Sequence, residues 1–128
     1  MRIGIDCRSY GPEYGYKGQY MKNLISHLVK NDDGNEYILF FFDREFSEFA
    51  NNSSWIHVIK TSAKIGSIAE QITFPHELYK QKLDLMVFGT PNSPVAYYKK
   101  SVVILSDLVS YFYPEKELKS SLWRHFST

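Results

Sequence analysis

Several short stretches of the chain combine residue types that could hold or transform a small molecule. Asp6, Cys7 and Arg8 are followed by Gly11, Gly15 and Gly18. Such glycines let the backbone approach a ligand closely, and the helix that follows would offer phosphate a partly positive N-terminus. The same glycines equally serve a loop that needs positive φ. Tyr10, Tyr14, Tyr16 and Tyr20 surround this loop, where their rings suit sugar faces or bases, or pack the loop onto the domain. Further along, Phe42 and Asp43, then residues 89–92 with Thr90 and Asn92, and finally Ser106 and Asp107 each follow an apolar run. These are the strand ends beyond which an open parallel sheet binds its ligands.

Other chemistries are excluded by spacing. Gly15-Tyr16-Lys17-Gly18 is neither G-x-G-x-x-G nor a P-loop, so a nicotinamide cofactor is not expected although Asp43 lies where a ribose-binding acid would. His27, His57, His76 and His125 fall in separate elements without an i, i+4 pair, and with one cysteine the chain offers no zinc set. No metal or cofactor is expected. Cys7 has no assignable base and reads as a small packing residue.

The elements that must position these residues follow from periodicity. Residues 2–6 form a first strand. Met21, Leu24, Ile25 and Leu28 share one face of a helix over residues 18–30, opposite Lys22, Asn23, Ser26 and Lys30. Residues 36–42, apolar after Glu36, suit a strand covered on both faces. Phe46 and Phe49 anchor a connection, residues 55–59 give a third strand, and residues 61–67 a polar loop with Gly66. Over residues 67–81, Ile68, Ile72 and Leu78 look helical, and Pro75 predicts two short helices or one bent one. Residues 83–88 form a fourth strand, residues 102–105 a fifth and largely buried one, and residues 116–126 an amphipathic helix with Leu118, Leu122, Trp123 and Phe126. The expected fold is therefore α/β, a Rossmann-like, mainly parallel sheet with helices on both faces and right-handed crossovers.

Composition agrees with one domain. The 128 residues include 44% hydrophobic and 16% aromatic side chains, with a net charge of +1. A chain of this size buries roughly 65 to 70% of its unfolded surface, enough for a core without disulfides or metal. The near-neutral balance argues against nucleic acid as a partner, and no apolar run reaches the about 20 residues of a spanning helix. The N-terminus lacks a secretory pattern, so a cytoplasmic location is expected. Lys80, Lys82, Lys99 and Lys100 read as an ordinary solvated face or as a basic rim for peripheral contact with a membrane.

Taken in order, these blocks resemble the N-terminal half of a retaining glycosyltransferase of family 4, or group 1, with the GT-B fold. Arg2-Ile3-Gly4-Ile5-Asp6-Cys7-Arg8 is similar to the family's opening strand, and Gly18-Gln19-Tyr20-Met21-Lys22-Asn23-Leu24 to its first helix start. Asn35-Glu36-Tyr37-Ile38-Leu39-Phe40, Glu70-Gln71-Ile72-Thr73-Phe74-Pro75, Asp84-Leu85-Met86-Val87-Phe88-Gly89-Thr90-Pro91 and Val102-Val103-Ile104-Leu105-Ser106-Asp107-Leu108 continue the likeness, with Pro114-Glu115 beyond.

The resemblance implies an acceptor-side domain, residues 1–128 being a single and incomplete unit. Its donor-binding partner domain, which would hold the nucleotide sugar, lies beyond Thr128. The implied activity is sugar transfer to a saccharide or lipid-linked acceptor in surface polysaccharide or glycolipid synthesis. Asp107 and Ser106 would stand at the catalytic pair, and Gly15, Tyr16, Gly18, Gln19, Thr90 and Asn92 at the substrate. Three positions depart from the pattern: Ser106 and Phe88 replace histidines and Gln19 an arginine, so an altered acceptor pocket or reduced activity is implied. A site completed across a two-domain cleft leaves the isolated chain expected to be inactive, with self-association through uncovered apolar surface. The alternative is a non-enzymatic saccharide-binding or partner-dependent subunit.

Overall fold

The computed structural model describes residues 1–11, 14–42, 53–91 and 93–104. Among these residues five strands and two helices follow in the order β1 (Arg2–Asp6), α1 (Tyr16–Lys30), β2 (Glu36–Phe41), β3 (Ile56–Lys60), α2 (Ile68–Lys80), β4 (Leu85–Phe88) and β5 (Ser101–Val103). The sheet is parallel throughout, in spatial order β3-β2-β1-β4-β5. The chain runs outward from β1 to β3 and then returns to the other side of β1. This α/β, Rossmann-like half-domain is the fold expected from the alternation of strands and helices.

The apolar run of β2 divides between two cores because successive side chains point to opposite faces. Tyr37, Leu39 and Phe41 join Ile5, Met21 and Ile25 on the face covered by α1. Ile38 and Phe40 join Phe74, Leu78, Met86 and Phe88 on the face covered by α2. Register pairs Ile5 with Leu39 on one side and with Val87 on the other, which makes β1 the middle of the sheet.

Four expectations need adjustment. The third strand begins at Ile56, since Trp55 is used to anchor α1: its indole N–H donates to the Leu28 carbonyl at 3.1 Å. The fourth begins at Leu85, after Asp84 has accepted the Arg2 backbone N–H at 2.6 Å. β5 is exposed rather than buried, and among the described residues it pairs only with β4. Finally, α2 is one helix that passes through Pro75 unbroken. Proline withholds a bond from the carbonyl four residues back, and that residue, Gln71, is exposed to water.

The buried face of α2 also differs from the expected one. Ile68 and Ile72 are exposed, whereas Glu70, Phe74, Pro75 and Leu78 are buried. Residues 72 and 74 stand about 200° apart on a helix, so burying Phe74 turns Ile72 outward. The expected roles of Asp43, Phe46, Phe49, Asn92, Leu105, Ser106, Asp107 and residues 116–126 lie outside the described residues. Among the described residues no helix is long and apolar enough to cross a membrane.

Candidate functional site

At the carboxyl end of β1 the chain turns back on itself through Asp6 and Arg8. The Asp6 carboxylate accepts from the Arg8 backbone N–H at 3.1 Å and from Nε and Nη2 of its guanidinium, both at 2.8 Å. Arg8 Nη2 also donates to Glu70 Oε1 at 2.7 Å, and Nη1 to the Ala63 carbonyl at 3.0 Å. The guanidinium lies 4.0 Å over the Phe74 ring. All three residues are buried. Burial works to lower the arginine's pKa, but the hydrogen bonds and charges of Asp6 and Glu70 outweigh it and hold the group above its ordinary value.

This cluster fixes the loop between β3 and α2. Glu70 Oε2 accepts from the Gly66 N–H at 2.7 Å, and Ser67, the N-cap of α2, accepts from the Glu70 N–H at 3.2 Å. Residues 63–66 are thus held at one end by Arg8 and at the other by Glu70, which aims Lys64 and Ile65 toward the strand ends.

There they line a cavity of about 340 Å³. Its floor comes from the residues that follow the strands: Arg8 and Ser9 after β1, Phe42 after β2 and Thr90 after β4. Tyr14, just ahead of α1, and Lys17, in its first turn, also line it. The position is the point where the chain switches from one side of β1 to the other, which is where open α/β sheets bind ligands.

The cavity is lined mostly by apolar surface, to which Tyr14, Phe42 and Ile65 contribute, with the basic side chains of Arg8, Lys17 and Lys64 and the hydroxyls of Ser9 and Thr90 among its lining residues. Neither the Lys17 nor the Lys64 ammonium has an ion-pair partner among the described residues. The Thr90 hydroxyl oxygen is buried and without a hydrogen-bond partner, which a native interior tolerates rarely. Helix α1 begins at Gly15 (φ 62°) with no side-chain cap and no acid in its first turn. Among the described residues no side chain caps this N-terminus.

Of the residues expected at the substrate, Thr90 lines the cavity and Gly15 opens the helix beside it. Gly18 is buried under the preceding loop, where a Cβ would come within 1.8 Å of the Gly11 carbonyl oxygen. Its function is close packing of helix against loop. Tyr16 is exposed, and the Gln19 side chain donates along the helix to Asn23 at 3.1 Å; neither is part of the cavity wall, where Tyr14 and Lys17 stand instead. Asn92, Ser106 and Asp107 lie outside the described residues.

Sequence reasoning passed over Lys17, Lys64 and the buried role of Glu70. Ser67-x-x-Glu70 is the pattern of a capping box, so the helix start was legible, but the glutamate side chain turns to Arg8 instead of its own N-cap. Cys7 is fully buried, and burial first, then the nearby Asp6 charge, pushes its thiol pKa well above the ordinary value. It is not a nucleophile in this site. Among the described residues no three His, Cys, Asp or Glu side chains are grouped to share a metal ion. Compared with known proteins, the chain matches no family model, no curated protein and no solved structure.

Proposed function

We propose that this chain is the acceptor-side domain of a retaining glycosyltransferase, with the cavity at the strand ends receiving a phosphorylated or lipid-linked saccharide acceptor. The nucleotide-sugar donor is held by a second domain across a cleft. The observation that carries this reading is the pair of unpartnered lysines, Lys17 and Lys64, facing a cavity at the switch point of a parallel sheet. At about 340 Å³ the space is at the small end of ligand pockets, the size of a single sugar with an attached phosphate. Tyr14 offers a ring for the sugar face, and Thr90 a hydroxyl that still needs a partner. The ordered likeness of the sequence blocks to family 4 supplies the reaction class.

Calorimetric titration of the chain with glucose 1-phosphate, glucose and inorganic phosphate tests the reading. The sugar phosphate should bind most tightly, and Lys17→Ala and Lys64→Ala should each weaken it about tenfold, as expected for a charge-assisted contact. Absence of saturable binding by all three probes would remove it. Ser106, where the family carries histidine, favours a second reading: a partner-dependent subunit that binds saccharide without catalysing transfer. The two separate on whether the native gene product moves labelled sugar from a nucleotide-sugar donor to an acceptor.

A further inference from the structure

The outward face of α2 and the connection between β4 and β5 form one apolar surface with a basic border. Ile68, Ile72 and Tyr79 lie along a single stripe of the helix, because residues four, seven and eleven apart return to the same side. Ile68 is 82% and Ile72 68% exposed, and beside them stand Val95 at 79% and Tyr98 at 85%. The connection is fastened to the helix at both ends of this patch. The Val95 N–H donates to Gln71 Oε1 at 2.9 Å, and the Tyr79 hydroxyl accepts from the Tyr98 N–H at 2.9 Å and donates to the Ala96 carbonyl at 3.2 Å. Four large apolar or amphipathic side chains are thus displayed where the connection is hydrogen-bonded to the helix.

The lower border carries four positive charges. Lys80 and Lys82 end and follow α2, and Lys99 and Lys100 lead into β5. None of the four has an ion-pair partner among the described residues; Lys99 lies 5.9 Å over the Tyr79 ring. Among the described residues no acid forms an ion pair with them. Asp84 is engaged with the Arg2 backbone N–H, and one carboxylate oxygen of Glu77 is buried.

We infer that this face rests on an anionic lipid surface, its isoleucines, Val95 and Tyr98 entering the headgroup region while the four lysines meet lipid phosphates. An exposed apolar patch of this kind marks an interaction surface. Its basic border selects a negatively charged partner, and apolar side chains beside lysines are the pattern of interfacial binding. The inference is independent of sugar transfer, since it uses neither the cavity nor any ligand of it.

Co-sedimentation of the full chain with phosphatidylcholine vesicles, with and without phosphatidylglycerol, provides the test. The chain should pellet with the anionic vesicles and remain in solution with phosphatidylcholine alone. Lys99→Gln with Lys100→Gln should weaken binding about 25-fold, from roughly fivefold per lysine. Ile68→Gln with Ile72→Gln should weaken it at least about tenfold, with unchanged circular dichroism because both side chains are already exposed. Failure to pellet with anionic vesicles would overturn the inference, as would binding by both double variants equal to that of the unaltered chain. A vesicle-free dimer dispersed by the isoleucine substitutions would overturn it as well, assigning the face to a second copy of the chain.

Discussion

Arg8 and Glu70, 62 positions apart in the chain, meet at 2.7 Å in the interior. With Asp6 bound to the same guanidinium through two oxygens, one buried cation is set between two carboxylates. The arrangement joins β1, the loop after β3 and the first turn of α2 at the base of the cavity. Four of the five guanidinium N–H groups of Arg8 are engaged inside the protein, on Nε, on Nη1 and both on Nη2, which leaves one on Nη1. It is a positioning residue.

Removing it should therefore cost more than losing a surface ion pair. Arg8→Ala leaves two carboxylates buried without a cation, and breaking such a set typically destabilises by about 3–5 kcal/mol. Urea denaturation followed by circular dichroism measures this. Arg8→Lys should recover only part of the loss, because a lysine cannot bind Asp6 in the two-pronged manner of a guanidinium. Full stability in Arg8→Ala would show that the cluster contributes nothing net.

The two glycines at the start of α1 should respond differently to alanine. Gly15 has φ 62° and open space around its Cβ position, so Gly15→Ala is expected to cost about 1–2 kcal/mol of backbone strain. Gly18→Ala would drive a methyl group into the Gly11 carbonyl and must move backbone. That loss should exceed Gly15→Ala and also disturb ligand binding through Tyr14 and Lys17. Thermal unfolding of both variants gives the order directly.

Thr90→Val separates binding from stability. The threonine hydroxyl is buried without a partner, and an unsatisfied group of this kind costs stability in the free protein. Its nearly isosteric replacement should leave the melting temperature unchanged or slightly higher. Glucose 1-phosphate binding should fall about five- to tenfold if the hydroxyl meets the ligand. A lowered melting temperature with unchanged binding would assign Thr90 to structure alone.

Cys7 gives a pH prediction with a definite sign. Its folded-state pKa is raised, chiefly by burial, so the folded chain keeps the thiol proton after the unfolded chain begins to lose its own. The unfolded state then binds fewer protons, and stability declines as pH rises above about 8.5, the ordinary thiol value. Cys7→Ala should flatten the onset of that decline, although Tyr37 and Tyr97, whose pKa values are also raised mainly by burial, add to it at higher pH. Iodoacetamide should label Cys7 slowly in buffer and rapidly in urea; rapid labelling of the folded chain would contradict the burial.

The sequence by itself determined the class of fold, because its information is local and periodic. The strand at β1, the amphipathic stripe of α1 and the unbroken apolar run of β2 each state their own burial. The resemblance to family 4 transferases likewise rests on blocks of adjacent residues.

Only the tertiary structure decided which side chains from different blocks meet. Phe74 and Leu78 outweighed Ile68 and Ile72 in choosing the buried side of α2, since they face β2 and β4 across the sheet while Glu70 reaches Arg8. No periodicity in the chain records that choice. The same holds for Lys17 and Lys64, which are ordinary surface lysines in the sequence and become neighbours because parallel strands bring every β-to-α loop to one edge. A binding site built from loop ends depends on strand order, and strand order is set by packing between distant segments.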